Sequence, residues 1–185
     1  MYGLAVLAAS ETLSFVLAIV GSSFRLVARA GLPLALLFIL AACGGSTQSE
    51  PVSARVVSGP GFTVSVPTGW AVRKSGKSLV ARKGNGLVSV TRFTLVKPYE
   101  SSKFRAAAKE LDGVAATLAE RNGGKVTKRE TTQVAGRKIR AYTIESNGTS
   151  IRIGFVLDDK TEYQLVCSGA ARTACGLLFS TFALA

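Results

Sequence analysis

Asn147-Gly148 stands between two runs of strand-forming residues, Arg137 to Ser146 and Thr149 to Leu157, and it restricts the fold more than any other feature of the chain. An Asn-Gly pair between such runs is the strongest short-range signal for a type I′ hairpin, because both residues tolerate positive φ. A two-residue loop fixes the register. Ile144 faces Ile151, Tyr142 faces Ile153 and Arg140 faces Phe155; on the other side Thr143 faces Arg152, Ala141 faces Gly154 and Ile139 faces Val156. A second tight turn is expected at Asp158 to Lys160, leading into Glu162 to Cys167. It would bring Leu165 beside Gly154 and Tyr163 beside Val156. Both faces of this sheet are then substantially apolar. An antiparallel sheet with one wet face alternates more cleanly, so cover is expected on both sides, one helix on each. Ala141 and Gly154 would let a helix approach closely.

The rest of the chain supplies the other elements. Gly61 to Pro67 alternates with period two and ends at Pro67; after a turn at Thr68-Gly69, Trp70 to Val72 restarts a short strand. Leu79 to Arg82 is a third strand and Leu87 to Val96 a long fourth, separated by Lys83-Gly84-Asn85-Gly86. Ser101 or Ser102 caps a helix reaching about Arg121, with Phe104, Ala107, Leu111, Val114, Ala115 and Leu118 at helical spacing. Asn122-Gly123-Gly124 ends it. Lys125 to Val134 then pairs through an Ala135-Gly136 turn with Arg137 to Ser146. Ala170 to Leu184 reads as a closing helix with Ala174, Leu177, Leu178 and Phe182 on one stripe. The expected class is α+β: an antiparallel β-sheet with helices on both faces, an α-β-α sandwich.

Residues 1–42 differ in character. An apolar run from Leu32 to Ile39, with Arg25 and Arg29 upstream, leads into Leu40-Ala41-Ala42-Cys43-Gly44-Gly45-Ser46. A basic flank, a short apolar core and small residues make a secretory signal. Its ending in cysteine resembles the lipobox of bacterial lipoproteins. The resemblance implies that the Cys43 thiol takes a diacylglycerol, that residues 1–42 are removed, and that the protein sits lipid-anchored on the extracytoplasmic face of the cell membrane. An earlier apolar run, Gly3 to Val20, carries Glu11 near its middle. That makes a poor membrane span, because a charge at the bilayer centre costs about 2.5–3.5 kcal/mol. Either the leader is long, or translation starts near Leu26 or Val27 at an alternative codon, Met1 being the only methionine. An uncleaved anchor helix is the third reading, disfavoured by the position of Cys43. Residues 43–54 form a small, polar, flexible tether, and 55–185 one domain.

The segment from Cys43 onward carries 21 basic and 10 acidic residues, a net charge of +11. Such a charge attracts polyanions: for an exported chain these are anionic lipid headgroups, wall polymers or acidic proteins. The plainer reading is a solvated basic surface. Nucleic acid is not expected, since Arg73, Lys74, Lys77, Arg82, Lys83, Lys128 and Arg129 are scattered without interleaved aromatics. The chain has no histidine, which removes Ser-His-Asp and Cys-His nucleophiles and imidazole metal sites. Asp158 and Asp159 are adjacent, but neighbouring turn carboxylates splay apart and make no acid/base pair. No catalytic residue, metal or cofactor is expected.

With Cys43 assigned to lipid, Cys167 and Cys175 remain as an even pair in an oxidising compartment. A disulfide would tie the last strand to the last helix. The alternative is a redox or metal pair, although redox pairs usually sit as Cys-x-x-Cys.

Gly61-Phe62-Thr63-Val64-Ser65-Val66-Pro67-Thr68-Gly69-Trp70 resembles the opening of PsbP-like domains, and Val134-Ala135-Gly136-Arg137, Gln164-Leu165-Val166-Cys167 and Phe179-Ser180-Thr181-Phe182 resemble later parts. The resemblance runs from Gly61 to Ala185. It implies an α-β-α sandwich of the kind found in plant photosystem extrinsic subunits, a nuclear-import cofactor and many bacterial lipoproteins. It transfers no catalytic residues, and photosystem function is not carried over.

Candidate contacts for an anion or a partner are Arg137, Lys138, Arg140, Arg152 and Trp70. For Arg140 and Arg152 the plain alternative is a buried stem with the charge reaching water. For Trp70 it is an aromatic plug at one end of the sandwich. The expected function is a non-enzymatic, lipid-anchored accessory or binding domain with a protein partner or an anionic envelope polymer. The rival is a small-molecule carrier or enzyme using a crevice of the sandwich.

Overall fold

The computed structural model describes residues 53–169 and 172–185. The leader, Cys43 and nearly all of the tether lie outside the described residues. Nine strands and two long helices follow in the order β1 (Ala54–Gly59), β2 (Phe62–Pro67), β3 (Ala71–Ser75), β4 (Ser78–Lys83), β5 (Gly86–Tyr99), α1 (Phe104–Arg121), β6 (Gly124–Val134), β7 (Arg137–Ser146), β8 (Thr149–Ser168), α2 (Arg172–Thr181) and β9 (Ala183–Leu184). A 3-10 turn, Ser101–Lys103, leads into α1. The strands form an antiparallel six-stranded sheet, β3-β4-β5-β8-β7-β6, and a small sheet, β1-β2-β9.

The hairpin that fixed the register folds as its loop chemistry dictates. Asn147 and Gly148 both have positive φ, 49° and 73°, the geometry of a type I′ turn. Ile144 pairs with Ile151, Tyr142 with Ile153, Arg140 with Phe155, Thr143 with Arg152 and Ala141 with Gly154. Ala135 and Gly136 repeat the same conformation between β6 and β7, at φ 51° and 70°.

The expected turn at Asp158 to Lys160 lies inside β8 rather than between two strands. Thr149 to Phe155 pairs with β7, while Thr161 to Ser168 pairs with β5. A straight strand would hold Gly154 and Cys167 roughly 40 Å apart. Yet Cys167 and Cys175 have Cα atoms 5.5 Å apart. Phe179, one turn further along α2, sits 2.6 Å from where a Gly154 side chain would begin. The chain therefore turns back on itself near Asp159, whose φ is 48°. Asp159 keeps a strand partner in Tyr99, beyond an irregularity in β5, so no separate loop forms.

Three further expectations are corrected. Trp70 precedes β3 rather than belonging to it. The closing helix stops at Thr181, and Ala183–Leu184 pairs with β2 instead. On α2, Phe179 is buried with Ala174 and Leu178, while Leu177 is only half-buried.

Buried side chains fall into two clusters that divide by alternation along β7. Ile139 and Ala141 join one, with Leu79, Val88, Leu165 and the α2 residues Ala174, Leu178 and Phe179. Tyr142 and Ile144 join the other, with Ile151, Ile153, Val166 and the α1 residues Leu111, Ala115 and Leu118. The small sheet closes the first cluster. Phe62 stacks on Phe182 and meets Tyr163 edge-on. The Tyr163 hydroxyl donates to the Gly61 carbonyl at 3.0 Å. The Ser65 amide donates to the Thr181 hydroxyl at 2.8 Å. The result is an α+β domain with antiparallel sheets and two helices.

Candidate functional site

Strand alternation puts Lys138 and Arg140 on one side of β7, with Thr131 of β6 opposite Arg140. Helical spacing aligns Arg105, Lys109 and Asp112 on α1. These side chains, with Ser101, Ser102 and Phe104, line an open cleft of about 700 Å³ between the start of α1 and the β6–β7 edge.

Among the described residues, Asp112 is the one carboxylate that lines the cleft, and both its oxygens accept hydrogen bonds. Arg140 donates to it through Nε at 2.9 Å and Nη2 at 3.2 Å, and the Tyr142 hydroxyl donates at 2.8 Å. Burial works to raise the Asp112 pKa, but the hydrogen bonds from Arg140 and Tyr142 outweigh it and hold the carboxyl below its ordinary value. Burial, reinforced by Asp112, pushes the Tyr142 phenol up. Arg140 also donates to the Thr131 hydroxyl at 3.2 Å. Lys138 lies 5.0 Å from the centroid of the Phe104 ring. Arg105, Lys109 and Lys138 make no ion pair with the described residues. The cleft is therefore an electropositive surface with hydroxyl donors at its rim, suited to binding an anion rather than to proton transfer.

Of the five candidate contacts, only Lys138 and Arg140 come together. Arg137 pairs with Asp158 at 2.6 Å. Arg152 pairs with Glu130 and stacks its guanidinium 4.4 Å from the Phe179 ring centroid. Since Arg140 faces Phe155 while Arg152 faces Thr143, the two arginines leave β7–β8 on opposite sides. Trp70 is half-buried against the first cluster, and its carbonyl accepts from Arg55 at 3.2 Å. Sequence reading missed Arg105 and Lys109 as site residues. Their i, i+4 spacing was visible, but facing β7 depends on how α1 docks.

Cys167 and Cys175 have Cα atoms 5.5 Å apart, placed for a disulfide. The pair borders a second open cleft of about 500 Å³, which Arg152 and Arg172 also line. Beside α1, Leu95, Val96, Pro98, Tyr99, Ala107 and Leu157 surround an apolar recess of about 40 Å³, far below the roughly 300–1,000 Å³ of small-molecule pockets. Within the sheet, burial pushes the Glu162 carboxyl up to about 7, and the neighbouring Gln164 Nε2 has no hydrogen-bond partner among the described residues. Among the described residues, no group of three or more acidic or sulfur ligands gathers to hold a metal, and no helix is long and apolar enough to cross a membrane.

No protein-family model and no curated protein matches the chain. Solved structures do. The solution structure of cyanobacterial PsbP (CyanoP) from Synechocystis sp. PCC 6803 aligns with a TM-score of 0.50 at 15% identity, over 79% of this chain and 99% of that one. A protein from Bacteroides thetaiotaomicron aligns at 0.46 and 12% identity, over 68% of this chain and 45% of that chain, so the match spans less than half of its length. LpqN, involved in cell envelope biogenesis of Mycobacterium tuberculosis, aligns at 0.43 and 12% identity, over 74% and 87%. Likeness at such identities concerns architecture and not activity: the chain is similar to CyanoP in fold, a PsbP-like α+β domain.

Proposed function

We propose that this chain is a lipid-anchored cell-envelope protein in which Cys43 carries diacylglycerol and palmitate. The anchor holds a non-enzymatic α-β-α sandwich, one helix on each face, at the extracytoplasmic side of the cell membrane. The observation that carries the reading is Leu40-Ala41-Ala42-Cys43 at the end of a short apolar run. Three others support it. The polar tether of residues 43–54 is short, reaching at most roughly 40 Å when extended. The net charge of +11 beyond Cys43 suits an anionic envelope partner. A Cys167–Cys175 disulfide belongs to the kind of bond that persists outside the cytoplasm. The sandwich reading is supported by the two buried clusters, each containing one helix.

In this role the domain acts as an accessory, holding a protein partner or an anionic polymer near the membrane through its basic surface. A carrier that encloses an apolar ligand is disfavoured by the 40 Å³ size of the apolar recess. Cys43→Ser tests the anchor. The parent chain is expected to incorporate labelled palmitate and to begin at Cys43, while the variant takes up no label and keeps residues 1–42; a parent chain without label, or equal labelling of the two, contradicts the anchor.

A further inference from the structure

We infer that the cleft between α1 and the β6–β7 edge binds the phosphate of anionic phospholipid headgroups. This rests on the reading of the chain as a membrane-tethered protein and deepens it by naming a docking face. Arg105 and Lys109 stand one turn apart on α1 and look across to Lys138 and Arg140 on β7. Among the described residues, Asp112 is the one acidic side chain lining the cleft, and Arg140 and Tyr142 already occupy both its oxygens. The cleft as a whole keeps a surplus of positive charge. No side chain caps the first turn of α1, so the positive end of its dipole adds to the same field.

Openness decides the kind of ligand. A cleft of about 700 Å³ with exposed Arg105, Lys109 and Lys138 cannot enclose a small anion. It can accept a phosphate offered from a surface, where many weak charge contacts add. Screening limits that attraction to about 8 Å at physiological salt, so the surface must be close. A lipid at Cys43 and a tether of about a dozen residues would keep it close.

The test is co-sedimentation of the mature chain, residues 43–185, carrying Cys43→Ser, so that neither an attached lipid nor the apolar leader contributes. The vesicles are phosphatidylcholine, with and without phosphatidylglycerol. Binding is expected only with phosphatidylglycerol, weakening steeply as salt rises. Each basic side chain at an anionic membrane is worth about 1 kcal/mol, about fivefold in affinity. R105A/K109A should therefore bind roughly 25-fold more weakly. R73A/K74A, which removes two exposed charges from β3 outside the cleft, should bind nearly as tightly as the parent. Unchanged circular dichroism and melting temperature confirm that both variants are folded. Equal losses in the two variants, equal binding to pure phosphatidylcholine, or capture by a soluble phosphate polymer but not by vesicles would each overturn the inference. Labelling of the parent chain with radioactive palmitate reads the anchor separately, so failure of the cleft and failure of the anchor are distinguishable.

Discussion

The two buried clusters of this domain are built from different chemistry. Around α2 the contacts are mostly apolar and tightly fitted: Phe62, Tyr163 and Phe182 interlock, Phe179 fills the space left by Gly154, and one ionised group against the helix, Arg152, stacks on Phe179. Around α1, ionisable groups enter the packing. Tyr142 is buried but spends its hydroxyl on Asp112. Glu162 and Gln164 are buried on the same side of β8 as Val166. Dense apolar packing supplies stability at little cost in specificity of charge. Polar groups at an interface cost desolvation and are kept where a surface has other work. Under the proposed function, the α2 side holds the fold and the α1 side is the one that meets a partner.

Phe62→Ala should produce the largest effect. Phe62 is fully buried and touches two other rings, so truncation is expected to cost about 3–5 kcal/mol in urea unfolding, equally at pH 5 and pH 8. A loss under 1 kcal/mol would break the contrast.

Glu162→Gln should act in the opposite direction and with pH. The folded pKa of Glu162 is raised from 4.5 to about 7 by burial. Between those values the folded state holds a proton that the unfolded state has released, so stability falls as pH rises through that window. The variant lacks this fall. At pH 8 it should be more stable than the parent by up to about 3 kcal/mol, taking about 1.4 kcal/mol per pH unit. Near pH 4 the two should coincide. Parallel stability–pH curves would remove Glu162 from the account.

Asp112→Ala should be the mildest. The Asp112 side chain is 36% exposed, so loss of its contacts to Arg140 and Tyr142 is expected to cost only about 1 kcal/mol after screening. It should also strengthen binding to anionic vesicles, because one opposing charge leaves the cleft. Weakened vesicle binding by a folded Asp112→Ala chain would contradict the electrostatic reading of that face.

Local chemistry explains which parts were legible in the sequence. Asn147-Gly148 and Ala135-Gly136 encode their turns in the residues themselves, so β7 and the start of β8 could be registered and the β6–β7 turn placed without coordinates; the irregularity at Val126 to Lys128 in β6 was not foreseen. The apolar stripe of α1 and the Asn122-Gly123 stop did the same for that helix. The strand β1 was not legible, because Val56 is 72% exposed and none of the segment's residues is fully buried. Nor was β9, where two residues pair with β2 for reasons set by the end of α2. The nearness of Cys167 and Cys175 could be read from their spacing across the end of β8 and the start of α2. The cleft could be read only in half. Lys138 and Arg140 alternate on one strand, but Arg105 and Lys109 join them through tertiary docking, which leaves no local signal. Arg137 and Arg152 looked equivalent to Arg140 in sequence, and they part from it because pairing partners differ: Asp158, Glu130 and Asp112.

The central claim is that this two-sided domain hangs from a lipid at Cys43. A mass spectrum of the protein extracted from membranes tests it most directly. The account predicts an N-terminal Cys43 bearing a diacylglyceryl group, and a mass two protons lower than that of the reduced chain. A chain that retains residues 1–42 with an unmodified Cys43 thiol would contradict it.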